Sequence, residues 1–146
     1  MIHARFGDTT GRAFIEALLI IPEIHVRGPV SFLYDSGADH SVLMPTDTGR
    51  LNIDLTKFTR TCVSVGLGGK SVSHASKAIL LFTDPGIAVY TYEIDLLVKA
   101  ENHDLDRVPS LLGRDVTDRW KIACHGEMKH FSAEPLSYDH KFELLK

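Results

Sequence analysis

Long hydrophobic runs are missing from this sequence. The longest early one, Ala17-Leu18-Leu19-Ile20-Ile21, is bounded by Glu16 and Pro22. It is too short to span a membrane, and it lacks the small-residue cleavage site of a secretory leader. Cysteine is scarce. Cys62 and Cys124 are the two in 146 residues, and they form no CxxC pair. That argues against a disulfide scaffold and for a reducing compartment. No basic block occurs: 16 Lys and Arg stand against 19 Asp and Glu, for a net charge of −3. Nucleic-acid binding therefore has no electrostatic support. The eight histidines fall in no HExxH or HxH arrangement and no cysteine cluster accompanies them, so no metal is expected. A Gly-x-Ser-x-Gly elbow, a Walker loop, internal repeats and low-complexity tracts are also absent. The expectation is a cytoplasmic protein with no cofactor and no nucleic-acid or membrane partner, although a domain cut from a larger chain would look the same.

What is present suits one soluble globular domain spanning residues 1–146, with a core over about 12–131 and a tail over 132–146. Charged residues make up 24% and apolar residues 44%, an ordinary balance for a chain long enough to bury a usable core.

The most informative stretch runs from Val30 to Met44. An apolar run, Phe32-Leu33-Tyr34, leads directly into Asp35, followed by Ser36, Gly37 and Ala38. The pattern predicts a buried strand that ends abruptly in a tight turn, with Gly37 where a side chain would obstruct. A carboxylate held there is costly to ionise unless partners satisfy it, and such environments suit acid–base chemistry. Asp, Ser and Gly are also common turn residues, so the triplet alone says little. Its context says more, because a second apolar run, Val42-Leu43-Met44, follows. Asp47-Thr48-Gly49 spells a similar triplet, but Pro45 precedes it and Arg50 follows. That segment reads as a turn or short helix.

Along the chain, Arg12 to Ile21 reads as a strand, with a helix as the rival for Phe14 to Leu19. Ile24 to Val26 continues it after a bend, Arg27-Gly28-Pro29 turns, and Val30 to Tyr34 returns as the second strand of a hairpin that delivers Asp35. Thr61 to Val65 alternates as a strand does, and a glycine-rich tip, Gly66-Leu67-Gly68-Gly69, joins it to another. Ala78 to Phe82 is a further strand, closed by the turn signal Thr83-Asp84-Pro85-Gly86. Ile87 to Val98 is a long strand, with Glu93 and Asp95 on its exposed face. Glu101 to Asp106 is a polar loop. Leu111-Leu112-Gly113 followed by Arg114-Asp115 reads, taken alone, as a strand end and a cap. Lys121 to Cys124 and Met128 to Phe131 flank a hairpin turn. The tail carries Leu136, Tyr138, Phe142, Leu144 and Leu145. It has three open fates: packing on the body, joining a subunit interface, or fraying.

Three of these segments together resemble the retropepsin-like aspartic proteases. Phe32 to Ala38 is similar to that family's catalytic loop, apolar-apolar-Asp-Thr/Ser-Gly-Ala. Gly66 to Gly69 resembles the tip of the flap that closes over bound peptide. Leu111 to Asp115 resembles the family's second motif: two apolar residues, Gly, Arg, then Asp or Asn, which opens a short helix in that family and implies one over Asp115 to Trp120 here. The resemblance covers roughly residues 12–131, with Ser36 in place of the commoner threonine.

It implies an all-β, retropepsin-like acid protease barrel with one or two short helices and an active site at a homodimer interface. The implied activity is that of an aspartic endopeptidase acting on polypeptide. In it Asp35 is the catalytic carboxylate. Ser36, Gly37, Ala38, Asp39 and Arg114 support its loop, Arg114 by pairing with Asp39. Gly66, Leu67, Gly68 and Gly69 cover the substrate. The alternative is a dimerisation or peptide-binding module of the same fold with little turnover, because fold alone does not fix function.

Overall fold

Strand-period alternation dominates the chain, and strands dominate its structure. The computed structural model describes residues 1–7, 10–66, 69–100, 103–105 and 107–145, with backbone alone at 64, 66 and 103. Two short strands, β1 (Ile2–His3) and β2 (Arg5–Phe6), precede the long hairpin of β3 (Ala13–Ile21) and β4 (Val26–Tyr34). Next come β5 (Val42–Leu43), α1 (Pro45–Arg50), β6 (Arg60–Gly66), β7 (Gly69–Asp84) and β8 (Ala88–Val98). The last elements are β9 (Leu111–Leu112), α2 (Arg114–Thr117), β10 (Trp120–His125), β11 (His130–Pro135) and β12 (His140–Glu143).

Six of these strands close on themselves. β3 pairs β4, β4 pairs β9, β9 pairs β5, β5 pairs β8, β8 pairs β7, and β7 returns to β3. Closure leaves no open edge within the ring. β2 attaches to β3, β6 to β7 and β12 to β8, while β1, β11 and β10 form a separate three-stranded sheet. The barrel interior is filled by the inward residues of each alternating strand. Ile15, Leu19 and Ile21 of β3, Phe32 of β4, Leu80 and Phe82 of β7, and Tyr92 and Leu96 of β8 are all fully buried. Each such side chain contributes about 1.5–3 kcal/mol by leaving water. Trp120 joins β10 to the barrel: its indole N–H donates to the Tyr92 hydroxyl at 2.7 Å and its ring meets Phe82 edge-on. Burial pushes the Tyr92 phenol up to about 12.

Several local expectations change. The reversal between β3 and β4 lies at the 3₁₀ turn Pro22–Ile24 and at His25, whose φ is 54°. Arg27-Gly28-Pro29 is therefore not a turn but part of β4, with Pro29 opposite Leu18. Proline is tolerated because the far edge of β4 is paired to β9 only at Leu33 and Tyr34. Gly28 makes room there, since a Cβ would lie 2.5 Å from Leu51 Cδ2. The strand expected over Ala78–Phe82 and the strand after the glycine tip are one continuous β7. The helix expected over Asp115–Trp120 ends at Thr117, and Trp120 opens β10 instead. Glu93 and Asp95 are exposed, as expected of their face of β8. Leu67, Gly68, Glu101, Asn102 and Asp106 lie outside the described residues, as do Asp8 and Thr9 of the first turn cluster.

Candidate active site

β4 buries alternate residues, Gly28, Val30 and Phe32, and its last two, Leu33 and Tyr34, are half-covered before the chain turns at Asp35. The turn is closed by Ala38 N–H donating to the Asp35 carbonyl at 3.2 Å. Gly37 N–H donates to Asp35 Oδ1 at 2.9 Å, the one hydrogen bond to that carboxylate among the described residues. Gly37 fits closely, because a Cβ would sit 3.3 Å from the same oxygen. Asp35 is half-buried, whereas Ser36, Gly37 and Asp39 are exposed and Ala38 is half-buried. The result is an acceptor at a rigid strand end with most of its hydrogen-bonding capacity open to whatever occupies the surface beside it.

The segment 110–115 fixes this turn from behind. β9 lies between β4 and β5, the strands on either side of the loop, parallel to β4 and antiparallel to β5. Leu33 N–H donates to Ser110 O at 2.8 Å and Asp35 N–H to Leu112 O at 3.1 Å. Arg114 N–H then donates to Ala38 O at 2.8 Å. The two chains cross so closely at Gly113 that a Cβ would lie 2.5 Å from His40 C and 2.6 Å from His40 O.

Asp115 finishes the tie. Its carboxylate accepts from Ser41 N–H at 2.9 Å and from the Ser41 hydroxyl at 2.7 Å, and Ser41 Oγ accepts Gly113 N–H at 3.0 Å. Ser41 is fully buried. These charge-assisted bonds are stronger than neutral ones. Ser110, also fully buried, performs a similar task one layer away: it accepts Met44 N–H at 2.9 Å and donates to Asp47 Oδ2 at 2.6 Å.

Sequence reading placed Ser41 and Ser110 in their segments without a role, and it gave Asp115 no partner. A signal existed: Ser41 abuts Val42-Leu43-Met44 and Ser110 abuts Leu111-Leu112, and a hydroxyl entering a buried run needs a partner.

Arg114 lies near Asp39, with 3.5 Å between Nη1 and Oδ1, but the two side chains are 52% and 79% exposed. Arg114 also reaches Asp118 at 3.3 Å. The buried ties to the loop are thus the Arg114 backbone and the Asp115 carboxylate, not the guanidinium. Gly66 and Gly69 face each other at the end of the β6–β7 ladder. One face of that hairpin carries three valines that are 60–75% exposed: Val63 and Val72 are cross-strand partners, and Val65 lies beside them opposite Lys70. Leu67 and Gly68, expected at its tip, are outside the described residues. Among the described residues, no group of three or more His, Cys, Asp or Glu could hold a metal ion. Among them, too, no helix is long and apolar enough to cross a membrane.

No family model matches the chain, and no curated protein matches it either. Among solved structures, a retropepsin-like aspartic protease from Rickettsia conorii is similar at 23% identity, with a TM-score of 0.44 over 86% of this chain and 83% of that one.

Proposed function

We propose that the chain is an aspartic endopeptidase whose working site forms where two copies bring their Asp35 loops together. The observation that carries this reading is the Asp35 turn itself. A carboxylate with one hydrogen-bond partner among the described residues stands at the end of a half-buried strand, beside exposed Ser36, on a loop held from behind by the 110–115 segment.

Hydrolysis of a peptide bond by this chemistry needs one carboxylate to take a proton from water. It also needs one carboxylic acid to polarise the carbonyl and pass its proton toward the leaving amine. One chain offers one such Asp, so a two-fold axis supplies the second. Ser36, exposed at the turn, hydrogen-bonds across that axis in this reading. The β6–β7 hairpin serves as the flap, its exposed Val63, Val65 and Val72 giving an apolar surface for extended peptide. Exposed, unpaired Cys62 and Cys124 fit a reducing compartment such as the cytoplasm.

Two facing carboxyls share one proton over a window of pH, because like charges at close range resist ionising together. Rate against pH is then bell-shaped, with its optimum on the acid side. The test is digestion of a peptide library by the wild-type chain and by Asp35→Asn. Loss of about 10²–10⁴-fold in rate is expected of the variant, and specific activity falls on dilution as dimers part. Equal cleavage by both chains overturns the assignment of Asp35. A second reading, a peptide-binding module, draws on the same apolar hairpin face. It predicts peptide binding without cleavage by either chain.

A further inference from the structure

Beyond the Asp35 loop, the tail presents a second surface. It is firmly anchored. Asp139 takes two contacts of 3.2 Å from the Arg119 guanidinium and accepts Glu93 N–H at 2.6 Å. Arg119 lies over the Tyr92 ring at 4.9 Å, and Tyr138 packs on Tyr90 at 5.2 Å. The Arg119 hydrogen bonds hold the Asp139 carboxyl below its usual range.

From this anchor β12 runs antiparallel along Ala88–Thr91 of β8, and among the described residues no strand pairs its outer edge. Such an edge is a template for another strand. Leu144 N–H donates to Ile87 O at 2.9 Å. Alternation along an antiparallel ladder turns the backbone of Phe142 toward β8 as well, and leaves the N–H and C=O groups of Lys141 and Glu143 pointing outward.

The side chains fit one occupant of that edge. We infer that β12 is a self-association strand, which pairs with β12 of a second copy antiparallel about a two-fold axis through Phe142. Within one chain Lys141 lies 3.6 Å from its own Glu143; in that register it also stands opposite Glu143 of the other copy, as a hydrogen-bonded pair that uses the outward-pointing backbone groups. Two complementary charge pairs form, and the two-fold axis relates one to the other. The Phe142 rings, 58% exposed in one chain, meet on the axis. Phe142 shares its face with Val89, its cross-strand partner, and Val89 lines an apolar groove with Leu18, Leu81 and Thr83. Pairing makes this face continuous across both copies.

The surface is separate from the Asp35 loop. β12 meets β8 at Ala88–Thr91, whereas β5 meets it at Leu97 and Val98. The two contacts are roughly 20–30 Å apart along the strand. A chain that uses both surfaces assembles beyond a dimer.

The test reads register directly and involves neither Asp35 nor cleavage. In a Cys62→Ser, Cys124→Ser background, Phe142→Cys places two thiols across a non-hydrogen-bonded pair, with Cα atoms about 4.5 Å apart, within disulfide range. Oxidised glutathione should convert this variant to a covalent pair of doubled mass. Lys141→Cys, whose two copies are offset along the strand, should stay unlinked. In the cysteine-containing chain, Lys141→Glu and Glu143→Lys should each lose the β12-dependent mass in sedimentation, and an equimolar mixture of the two should regain it. The inference is overturned if Phe142→Cys links no better than Lys141→Cys, or if both charge reversals keep the wild-type mass.

Discussion

Two triplets of nearly the same composition sit twelve positions apart, and they do different things. Asp35-Ser36-Gly37 follows a buried strand and forms a turn. Asp47-Thr48-Gly49 lies inside α1, which Pro45 opens and Arg50 closes. The glycines show the difference most sharply. A Cβ on Gly37 would meet the Asp35 carboxylate at 3.3 Å, whereas one on Gly49 would meet nothing within 4 Å. The carboxylates differ too. Asp47 is occupied, accepting from Ser110 at 2.6 Å and pairing with Arg50 at 2.9 Å. Among the described residues Asp35 accepts one backbone N–H, and the rest of its capacity is open to them. A carboxylate saturated by its own chain is a structural part, and one left open on a fixed backbone is available for chemistry. The tripeptide carries little of that information. The residue two before it and the segment packed behind it carry most.

The largest effect should come from the packing behind the first triplet. Gly113→Ala forces a methyl into the backbone of His40, which cannot swing aside as a side chain would. A loss of about 1–3 kcal/mol or more is expected, read from the denaturant midpoint. The matching change near the second triplet, Gly49→Ala, enters open space within a helix. It should be neutral or stabilise by about 0.4–1 kcal/mol. Equal effects from the two would mean that the 113 crossing gives way easily.

A smaller contrast separates the carboxylates that tie the two layers. Asp115→Ala leaves the buried Ser41 N–H and hydroxyl without their acceptor, at a cost of about 1–3 kcal/mol. Asp47→Ala costs Ser110 one acceptor and frees a half-exposed Arg50, so about 0.5–1.5 kcal/mol is expected. If the Asp35 reading is right, Asp115→Ala also lowers peptide cleavage, and Asp47→Ala leaves it unchanged beyond its effect on folding. Thermal melts paired with the library digestion check both halves.

The strands and the Asp35 turn were legible because their cause is local. Alternation marked the start of the β6–β7 hairpin. Apolar runs bounded by turn residues marked β3 and β8, with a helix as the rival for part of β3. An apolar run cut short by Asp-Ser-Gly marked the end of β4. The misplaced features have non-local causes. Arg27-Gly28-Pro29 has turn composition, yet it lies in β4 because Leu51 packs over Gly28 and β9 leaves the Pro29 edge free. Trp120 sits in a strand because β11 pairs with it at Pro135. The Ser41–Asp115 tie spans 74 positions, and no spacing rule connects them. The tail's course was open in the sequence because β12 exists through its pairing with β8, not through a pattern of its own.

The smallest effect is expected where the motif suggests the largest. Arg114 and Asp39 lie 3.5 Å apart, but with 52% and 79% of their side chains exposed the pair is well solvated. Water already satisfies both groups, and ordering two mobile side chains offsets much of the attraction. Arg114→Ala should therefore change the unfolding free energy of the isolated chain by about 0–1 kcal/mol. The second triplet's arginine is held better: Arg50 donates to Pro29 O at 2.6 Å and bonds the partly covered Asp47. Arg50→Ala should cost more, about 1 kcal/mol or slightly above. The order would invert in an assembly that covers the Asp35 loops, because a pair taken out of water is costly to break from one side. Two measurements on Arg114→Ala separate these cases: the denaturant midpoint of dilute chains, and the concentration at which activity falls to half. An unchanged midpoint with a raised half-activity concentration places the role of Arg114 in the contact between copies. A midpoint lowered by several kcal/mol in dilute chains would mean that the pair is buried within the single chain.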